Sequence, residues 1–324
     1  MKILITGGAG FIGSHLAEKL LKDGHTVFIL DDLSTGSKKN IAHLLKQSKK
    51  IIFKRGSVLD KKLVGSLVQK SNAVFHLAAS VGVKTVMERP LYSFVNNVEG
   101  TQNVLDAALR RRVPVLVASS SEVYGKSEDV PYREDGDRLY GSVYNARWGY
   151  ALSKSVDEFL SLQYAREKKI NVVVVRLFNT VGPRQSSRYG MVIPTFVDSA
   201  LKNKPLKVFG NGRQIRCFCH VSDVVLALSK LLFIKRAYGE IINVGSKEKV
   251  TINDLAKKIV IFTRSRSRII HVPQKLVMKQ TGDEMKKRIP DITKIQQLIH
   301  WNPKKNLHTI LKEVIQSFGK ENRK

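Results

Sequence analysis

The chain has 324 residues, of which 43% are hydrophobic and 26% charged, a composition typical of a globular protein with enough chain for two lobes. No apolar run approaches the ~18 residues of a membrane span, and no charged-then-apolar leader precedes the first predicted strand, so we expect a cytoplasmic protein without membrane association. The formal charge of +29 favours attraction of anionic substrates, but the basic residues are scattered without interleaved aromatics, which argues against a specific nucleic-acid partner.

The first predicted element is a buried strand at residues 3–5, which runs into a glycine turn and then into an amphipathic helix ending near residue 22. Gly7 permits the tight turn, Gly10 lets the backbone approach a pyrophosphate, and Gly13 lets helix and strand pack closely. Because the first N–H groups of a helix attract anions, this stretch predicts a dinucleotide site.

The second predicted strand, residues 26–30, ends in Asp31 and Asp32, at the distance where an acidic residue meets the adenosine ribose. A carboxylate there repels a 2′-phosphate, so NAD is favoured over NADP. Lys38 and Lys39 nearby keep NADP as the alternative.

The rest of the first half alternates buried strands with helix-length segments. Further strands are predicted at 51–53, 73–77, 113–117 and 171–175, with a helix at 98–111 between two of them. Such βαβ repetition predicts an α/β fold, a Rossmann-type doubly wound parallel sheet with its ligand at the carboxyl ends of the strands.

Beyond residue 176 the alternation loosens and predicts a smaller, mostly C-terminal α/β lobe for the substrate. Its predicted elements are helices at 192–203, 223–233, 252–262, 292–300 and 307–318 and strands at 206–209 and 240–244. Because the strand at 240–244 returns to the main sheet, we assign 1–180 and about 218–247 to the dinucleotide domain. The substrate lobe then comprises 181–217 and 248–324. Cys217 and Cys219, predicted on one strand, are expected to be reduced structural thiols, and no metal site is predicted.

Tyr150 and Lys154 open a predicted helix and lie one turn apart on one face. An ammonium beside a phenol favours the phenolate, so we expect a lowered pKa for Tyr150 and proton exchange with a sugar hydroxyl. With the serine run Ser119 to Ser121 at the end of a predicted strand, this pair forms a candidate catalytic constellation.

These motifs together resemble the NAD-dependent epimerase/dehydratase family of extended short-chain dehydrogenases/reductases, which modify nucleotide sugars, and the likeness covers nearly the whole chain. Further matching stretches are 31–36, 76–79, 96–101, 119–125, 176–179, 182–184 and 221–223. One departure is Gly56-Ser57, where the family commonly has Gly-Asp, so the usual carboxylate contact to adenine is not expected.

The resemblance implies bound, recycled NAD, a UDP-sugar substrate and a homodimer through helices near 97–111 and 150–166. It implies that Tyr150 is the base on the 4-hydroxyl, that Lys154 tunes it and holds the nicotinamide ribose, and that Ser120 binds O4. The implied cofactor-binding residues are Gly7, Gly10, Phe11, Ile12, Gly13, Asp31, Asp32, Ser34, Thr35, Gly36, Leu77, Ala78, Ala79, Asn97, Ser119, Tyr150 and Lys154. The implied substrate-binding residues are Lys84, Ser120, Asn179, Arg184, Arg216 and Arg288.

The product depends on the step after oxidation at C4. A 4,6-dehydratase needs an acid where this chain has Ser121, followed by Glu122, so dehydration is disfavoured. Several positions resemble those of UDP-glucuronate decarboxylases, namely Ser121, Glu122, the run from Arg147 to Tyr150, Arg184 and Arg288, whereas the stretch 182–194 resembles 4-epimerases. We therefore expect a nucleotide-sugar 4-epimerase acting on UDP-glucose or UDP-glucuronate, with UDP-glucuronate decarboxylation as the alternative. A non-catalytic binding module is opposed by the retained Tyr150 and Lys154, and an NADPH-consuming reductase by Asp31.

Overall fold

The computed structural model describes residues 1–273, 276 and 285–321, without the side chains of residues 83, 84, 320 and 321. Its strands are β1 (Lys2–Thr6), β2 (Thr26–Asp31), β3 (Ile51–Arg55), β4 (Ala73–His76), β5 (Val115–Ser120), β6 (Val172–Leu177), β7 (Thr180–Val181), β8 (Leu206–Phe209), β9 (Ile215–Cys217), β10 (Cys219–His220), β11 (Glu240–Val244), β12 (Lys249–Thr251), β13 (Ile269–Val272) and β14 (Lys287–Arg288). Its helices are α1 (Phe11–Lys22), α2 (Ala42–Gln47), α3 (Lys61–Gln69), α4 (Val83–Glu88), α5 (Pro90–Arg111), α6 (Ala146–Lys168), α7 (Val192–Leu201), α8 (Val221–Leu231), α9 (Ile252–Thr263), α10 (Thr293–Ile299) and α11 (Leu307–Glu321).

Seven parallel strands form the central sheet in the order β3-β2-β1-β4-β5-β6-β11. Their apolar runs are buried on both faces, as expected for parallel strands covered by helices. The strand order reverses between β1 and β4, and a crevice opens there at the carboxyl ends of the strands. The doubly wound Rossmann-type sheet predicted from the sequence is confirmed.

Helices cover both faces of this sheet. Leu16 of α1 and Val224 of α8 belong to the hydrophobic core on one face, while Val64 of α3 and Leu105 of α5 belong to the core on the other. A third core lies in the smaller lobe and includes side chains of α7, α9 and α11. Among the described residues, no helix is both long and apolar enough to cross a bilayer.

Two predicted details are wrong. Helix α5 begins at Pro90 rather than near residue 98. The prediction missed its first turns because the side chains that they bury are polar, such as Asn96 and Asn97, whereas Leu91 is exposed. Cys217 and Cys219 do not share a strand, since Phe218 separates the end of β9 from the start of β10. Both cysteines are free and buried, and burial raises the pKa of both thiols, that of Cys217 to about 12.

Candidate active site

A cavity of about 2060 Å³ lies at the carboxyl ends of the central strands, next to the smaller lobe. Gly7 after β1, Leu77 after β4, Ser120 at the end of β5 and Leu177 at the end of β6 all line it. Residues of the smaller lobe, including Phe209, line its other side. A large cleft at the topological switch point is where this fold binds its ligands.

The glycine turn has the geometry of a phosphate cradle. Gly7 has a φ of +70°, a conformation that favours glycine. A Cβ on Gly13 would lie 2.2 Å from the carbonyl oxygen of Gly7, so any side chain there would push α1 away from the turn. Gly10 caps α1 without a side-chain hydrogen bond, which leaves the first helical N–H groups available to an anion.

The two aspartates after β2 have different surroundings. Asp31 is 7% exposed, and its carboxylate accepts hydrogen bonds of 2.9 Å from the N–H groups of Ala9 and Leu33, which braces the glycine turn. Asp32 accepts hydrogen bonds from the N–H and hydroxyl of Ser34 at 2.8 and 2.6 Å. Both aspartates line the cavity beside the turn, so the donors and acceptors present fit a dinucleotide.

Of the predicted cofactor-binding residues, the cavity wall contains all but one. The exception is Asn97, which is fully buried and points its amide elsewhere. Its Oδ1 accepts from the N–H of Ser80 at 2.8 Å, and its Nδ2 donates to Ser153 Oγ at 3.0 Å. The neighbouring Asn96 lines the cavity instead. Ser57, at the position that departs from the family, bonds to the N–H of Leu59 through its Oγ.

Tyr150 and Ser120 meet on the same wall. Asn145 caps α6 through its side chain, so the helix begins four residues before Tyr150 rather than at it. Ser120, the last residue of β5, caps the following turn, and its hydroxyl also hydrogen-bonds the phenol of Tyr150. This brings the predicted base and its predicted partner together.

The expected lowering of the Tyr150 pKa is wrong. Burial raises the pKa of Tyr150 and outweighs the opposing charge of Lys154, while the negative charge of Glu122 adds to the increase. Lys154 is 2% exposed, and its ammonium bonds to the carboxylate of Asp157 at 2.8 Å. The lysine charge is paired with this carboxylate, and it lowers the pKa of Tyr150 by less than burial raises it.

Glu122 lies between two arginines on the cavity wall. Its carboxylate is 3.3 Å from Arg147 Nη2 and 2.5 Å from Arg288 Nη2, and the three side chains are 11% to 16% exposed. Burial alone would raise the pKa of Glu122, but the charges of Arg147 and Arg288 lower it to about 2. Two guanidiniums facing one carboxylate leave one net positive charge beside the predicted base.

Three other predicted substrate-binding residues, Asn179, Arg184 and Arg216, also lie on the wall, with existing partners. Arg184 bonds to Glu18 Oε2 at 2.5 Å, and Asn179 Nδ2 donates to the carbonyl of Cys217 at 2.9 Å. Arg216, on β9, is 7% exposed and donates to the carbonyl of Ile215 at 3.0 Å. The predicted role of Lys84 concerns a side chain outside the described residues.

Sequence reasoning missed Asp157 as a member of the site. Asp157 follows Lys154 by three residues on the same helix, nearly one helical turn. Helical periodicity from the Tyr-x-x-x-Lys motif could have found it. Contacts from the smaller lobe, such as Phe318 of α11, carried no signal in the sequence.

A dinucleotide turn at the switch point and a Tyr-x-x-x-Lys helix on the same cavity define a short-chain dehydrogenase/reductase. A family model described as GDP-mannose 4,6 dehydratase matches residues 4–314. The chain therefore belongs to this family of NAD-dependent nucleotide-sugar epimerases and dehydratases, and the predicted family and the predicted cofactor NAD are confirmed.

Relatives in this family carry out more than one reaction. The chain is 43% identical over 318 residues to a UDP-N-acetyl-alpha-D-glucosaminuronate decarboxylase of Bacillus cytotoxicus, covering 98% of this chain and 97% of the relative. It is 35% identical over 322 residues to UDP-glucuronic acid decarboxylase 1 of Danio rerio, covering 99% of this chain and 73% of the relative. The chain also superposes on a solved UDP-glucuronic acid 4-epimerase from Bacillus cereus, in complex with UDP-glucuronic acid and NAD, with a TM-score of 0.88 at 29% identity. The superposition covers 99% of this chain and 100% of the solved chain.

Proposed function

We propose that this protein is an NAD-dependent decarboxylase of UDP-uronates, which oxidises C4 of the sugar and then releases C6 as CO2. The observation that carries the proposal is the net positive cluster of Glu122, Arg147 and Arg288 beside Tyr150, because it matches a carboxylate on the reacting sugar. The two decarboxylase relatives support this choice over the epimerisation favoured by sequence alone.

In this proposal Tyr150 receives the proton of the 4-hydroxyl, and Ser120 hydrogen-bonds the same oxygen. Lys154 stabilises the phenolate form of Tyr150 that accepts this proton. When bound, NAD supplies reversible hydride transfer at C4. The residues implied to hold it are those of the glycine turn together with Asp31 and Asp32.

Loss of CO2 needs no acid at C6, because the carboxylate of a 4-keto uronate lies β to the ketone. The C5–C6 bond breaks, its electron pair forms an enolate on the C4 oxygen, and C5 then takes a proton from water as the C4 ketone forms again. Because burial raises the pKa of Tyr150, the phenol that has gained a proton stays protonated and donates a hydrogen bond to the enolate oxygen, as Ser120 does.

Arg147 and Arg288 bind the substrate carboxylate in this scheme. Since Glu122 competes for both guanidiniums, they hold that carboxylate less tightly than free arginines would. A group that loses its charge in the transition state should not be strongly stabilised in the ground state. Ser121, buried on the same wall, offers no acid for dehydration.

The second candidate is 4-epimerisation of a UDP-uronate, which the solved Bacillus cereus relative favours and which would use the same arginines. The test is to incubate purified protein with UDP-N-acetylglucosaminuronate, UDP-glucuronate, UDP-glucose and UDP-N-acetylglucosamine and to analyse products by mass spectrometry. We expect a UDP-pentose and CO2 from a uronate. An epimer that keeps its carboxylate would contradict the proposal and support the second candidate.

We also propose a homodimer through α5 and α6, as the family resemblance implies. Leu91 of α5 is 76% exposed and Phe159 of α6 is 62% exposed, so both helices present apolar side chains to solvent. Light scattering is expected to give twice the chain mass for the protein and the single-chain mass for Phe159→Asp. A single-chain mass for the unsubstituted protein would contradict this.

A further inference from the structure

We propose that Asp157 is a positioning residue of this enzyme, whose buried carboxylate keeps Lys154 charged and in place beside Tyr150. The inference rests on the proposed function for the roles of Tyr150 and Lys154. It concerns a residue that neither the glycine turn nor the Tyr-x-x-x-Lys motif includes.

The geometry is that of a buried ion pair on one helix face. Asp157 follows Lys154 by three residues on α6, and its Oδ2 lies 2.8 Å from the lysine Nζ. The side chains of Lys154 and Asp157 are 3% and 0% exposed. A buried ammonium without a counter-ion loses its proton readily, so this carboxylate determines whether Lys154 is a cation at all.

Other acidic groups near Lys154 are occupied. Glu158, the next residue on α6, bonds to Arg176 through both oxygens, at 2.9 and 2.8 Å. Glu122 is held by its two arginines. In the part of the chain that the structure describes, Asp157 is thus the carboxylate paired with Lys154.

The titratable group that faces Lys154 from β4 is His76, and it is neutral. Burial and the charge of Lys154 lower the pKa of His76 to about 3. Its ring nitrogens bond to the hydroxyls of Thr6 and Thr101 at 2.7 and 3.1 Å. His76 therefore neither compensates the lysine charge nor adds a second cation.

The charges of Asp157 and Lys154 predict how loss of Asp157 changes the pKa of Tyr150. Burial alone would lower the pKa of Lys154, but the charge of Asp157 raises it. Without that charge, Lys154 deprotonates at lower pH, and Tyr150 loses the cation that opposes the effect of burial on its own pKa. The negative charge of Asp157 itself raises the pKa of Tyr150, so its removal alone would lower that pKa. This direct effect is weaker than the effect of the Lys154 charge. Ionisation of Tyr150 should therefore move to higher pH.

The test measures Tyr150 itself. Tyrosinate absorbance is titrated in NAD-loaded protein, and the Tyr150 signal is obtained by subtracting the same protein carrying Tyr150→Phe. For the near-isosteric Asp157→Asn we expect Tyr150 to ionise at least about one pH unit higher. We expect the alkaline limb of the kcat profile, where Lys154 loses its proton, to move about one to two pH units lower. Asp157→Glu should restore part of both shifts.

The matched control is Glu158→Gln, which removes an equally buried carboxylate from the adjacent position. It should lower the melting temperature because Arg176 loses its partner, but it should shift the Tyr150 titration far less. In a Lys154→Met background, Asp157→Asn should no longer raise the pKa of Tyr150, because the lysine transmits the effect.

If Asp157→Asn does not fold, Asp157→Ser takes its place, since a smaller side chain leaves room for water at the lysine. An unchanged Tyr150 titration in folded Asp157 variants overturns the inference even if a uronate is decarboxylated. A shifted titration in a protein that decarboxylates no uronate supports the inference and defeats only the proposed function.

Discussion

Tyr150 and Lys154 lie one turn apart on α6, as the motif predicted, yet the pKa of Tyr150 is raised. The reason is that burial disfavours the charged phenolate by more than the nearby charge of Lys154 favours it. Removal of the hydroxyl tests whether the reaction needs it at all.

Tyr150→Phe should abolish turnover of any UDP-uronate, by a factor of at least ~10² to 10⁴, because the proton acceptor for the 4-hydroxyl is lost. Bound NAD and the melting temperature should stay close to those of the unsubstituted protein, which separates chemistry from folding. Product formation is measured by mass spectrometry at several enzyme concentrations. Activity within tenfold of the original would contradict the role of Tyr150.

Arg147→Met and Arg288→Met should each lower kcat/KM for a uronate by roughly 10- to 100-fold, the effect of losing a charge-assisted hydrogen bond. The control is Arg133→Met, since Arg133 forms an exposed ion pair with Asp135 away from the cavity. Steady-state kinetics with UDP-glucuronate and UDP-N-acetylglucosaminuronate provide the measurement. Equal losses in all three variants would show that the cluster does not bind the carboxylate.

At the scale of elements, the site depends on α1 and α6 beginning at the carboxyl ends of the sheet. The close approach of α1 to the turn after β1 requires glycine at position 13, where a Cβ would overlap the Gly7 carbonyl oxygen. Gly65 in α3 offers the opposite situation, because a Cβ there meets no atom within 4 Å.

Gly13→Ala should therefore reduce bound NAD strongly and destabilise the fold by about 1–3 kcal/mol, since α1 must shift. Gly65→Ala should keep NAD and stabilise the protein by about 0.5–1 kcal/mol, because alanine favours the helix. NAD released on denaturation and urea unfolding measure the two effects. Full NAD content in Gly13→Ala would show that the turn is not the dinucleotide cradle.

At the scale of the whole molecule, buried ionisable groups make stability depend on pH. His76 is neutral in the folded protein, with a pKa of about 3 against an ordinary value of 6.5, so the unfolded chain binds an extra proton between these values. Glu122 has a pKa of about 2 in the folded protein against an ordinary value of 4.5, so it adds a second loss of stability as the pH falls below 4.5.

We expect the free energy of unfolding to fall as the pH drops from 7 to 4, with His76 and His15, whose pKa burial lowers to about 4, both contributing to the part that begins below 6.5. His76→Gln should flatten that part by up to about 1.4 kcal/mol per pH unit, whatever its effect at pH 7. Urea titrations at four pH values give the slopes. Parallel slopes in the two proteins would rule out His76 as a source.

The βα order of the dinucleotide domain and the return of the strand at 240–244 to the main sheet follow from sequence patterns, while most of the predicted cofactor residues on the cavity wall are implied by the family resemblance. Those patterns are local, since strand alternation, a glycine turn and a helix-spaced Tyr and Lys depend on neighbours within a few residues. Asn97 escaped the same reasoning because its amide direction depends on contacts with Ser80 and with α6.

The sequence by itself determined the fold class and the cofactor and proposed Tyr150 and Lys154 as the proton-transfer pair, because strand alternation, the glycine turn and the Tyr-x-x-x-Lys spacing are short-range patterns. Only the tertiary structure decided that Arg288, far along the chain, joins Arg147 at Glu122, and that Lys154 is buried against Asp157. Charge balance in a cavity depends on which distant side chains share it and on how much water they exclude. That physical balance, more than any motif, is what favours a carboxylate-bearing sugar.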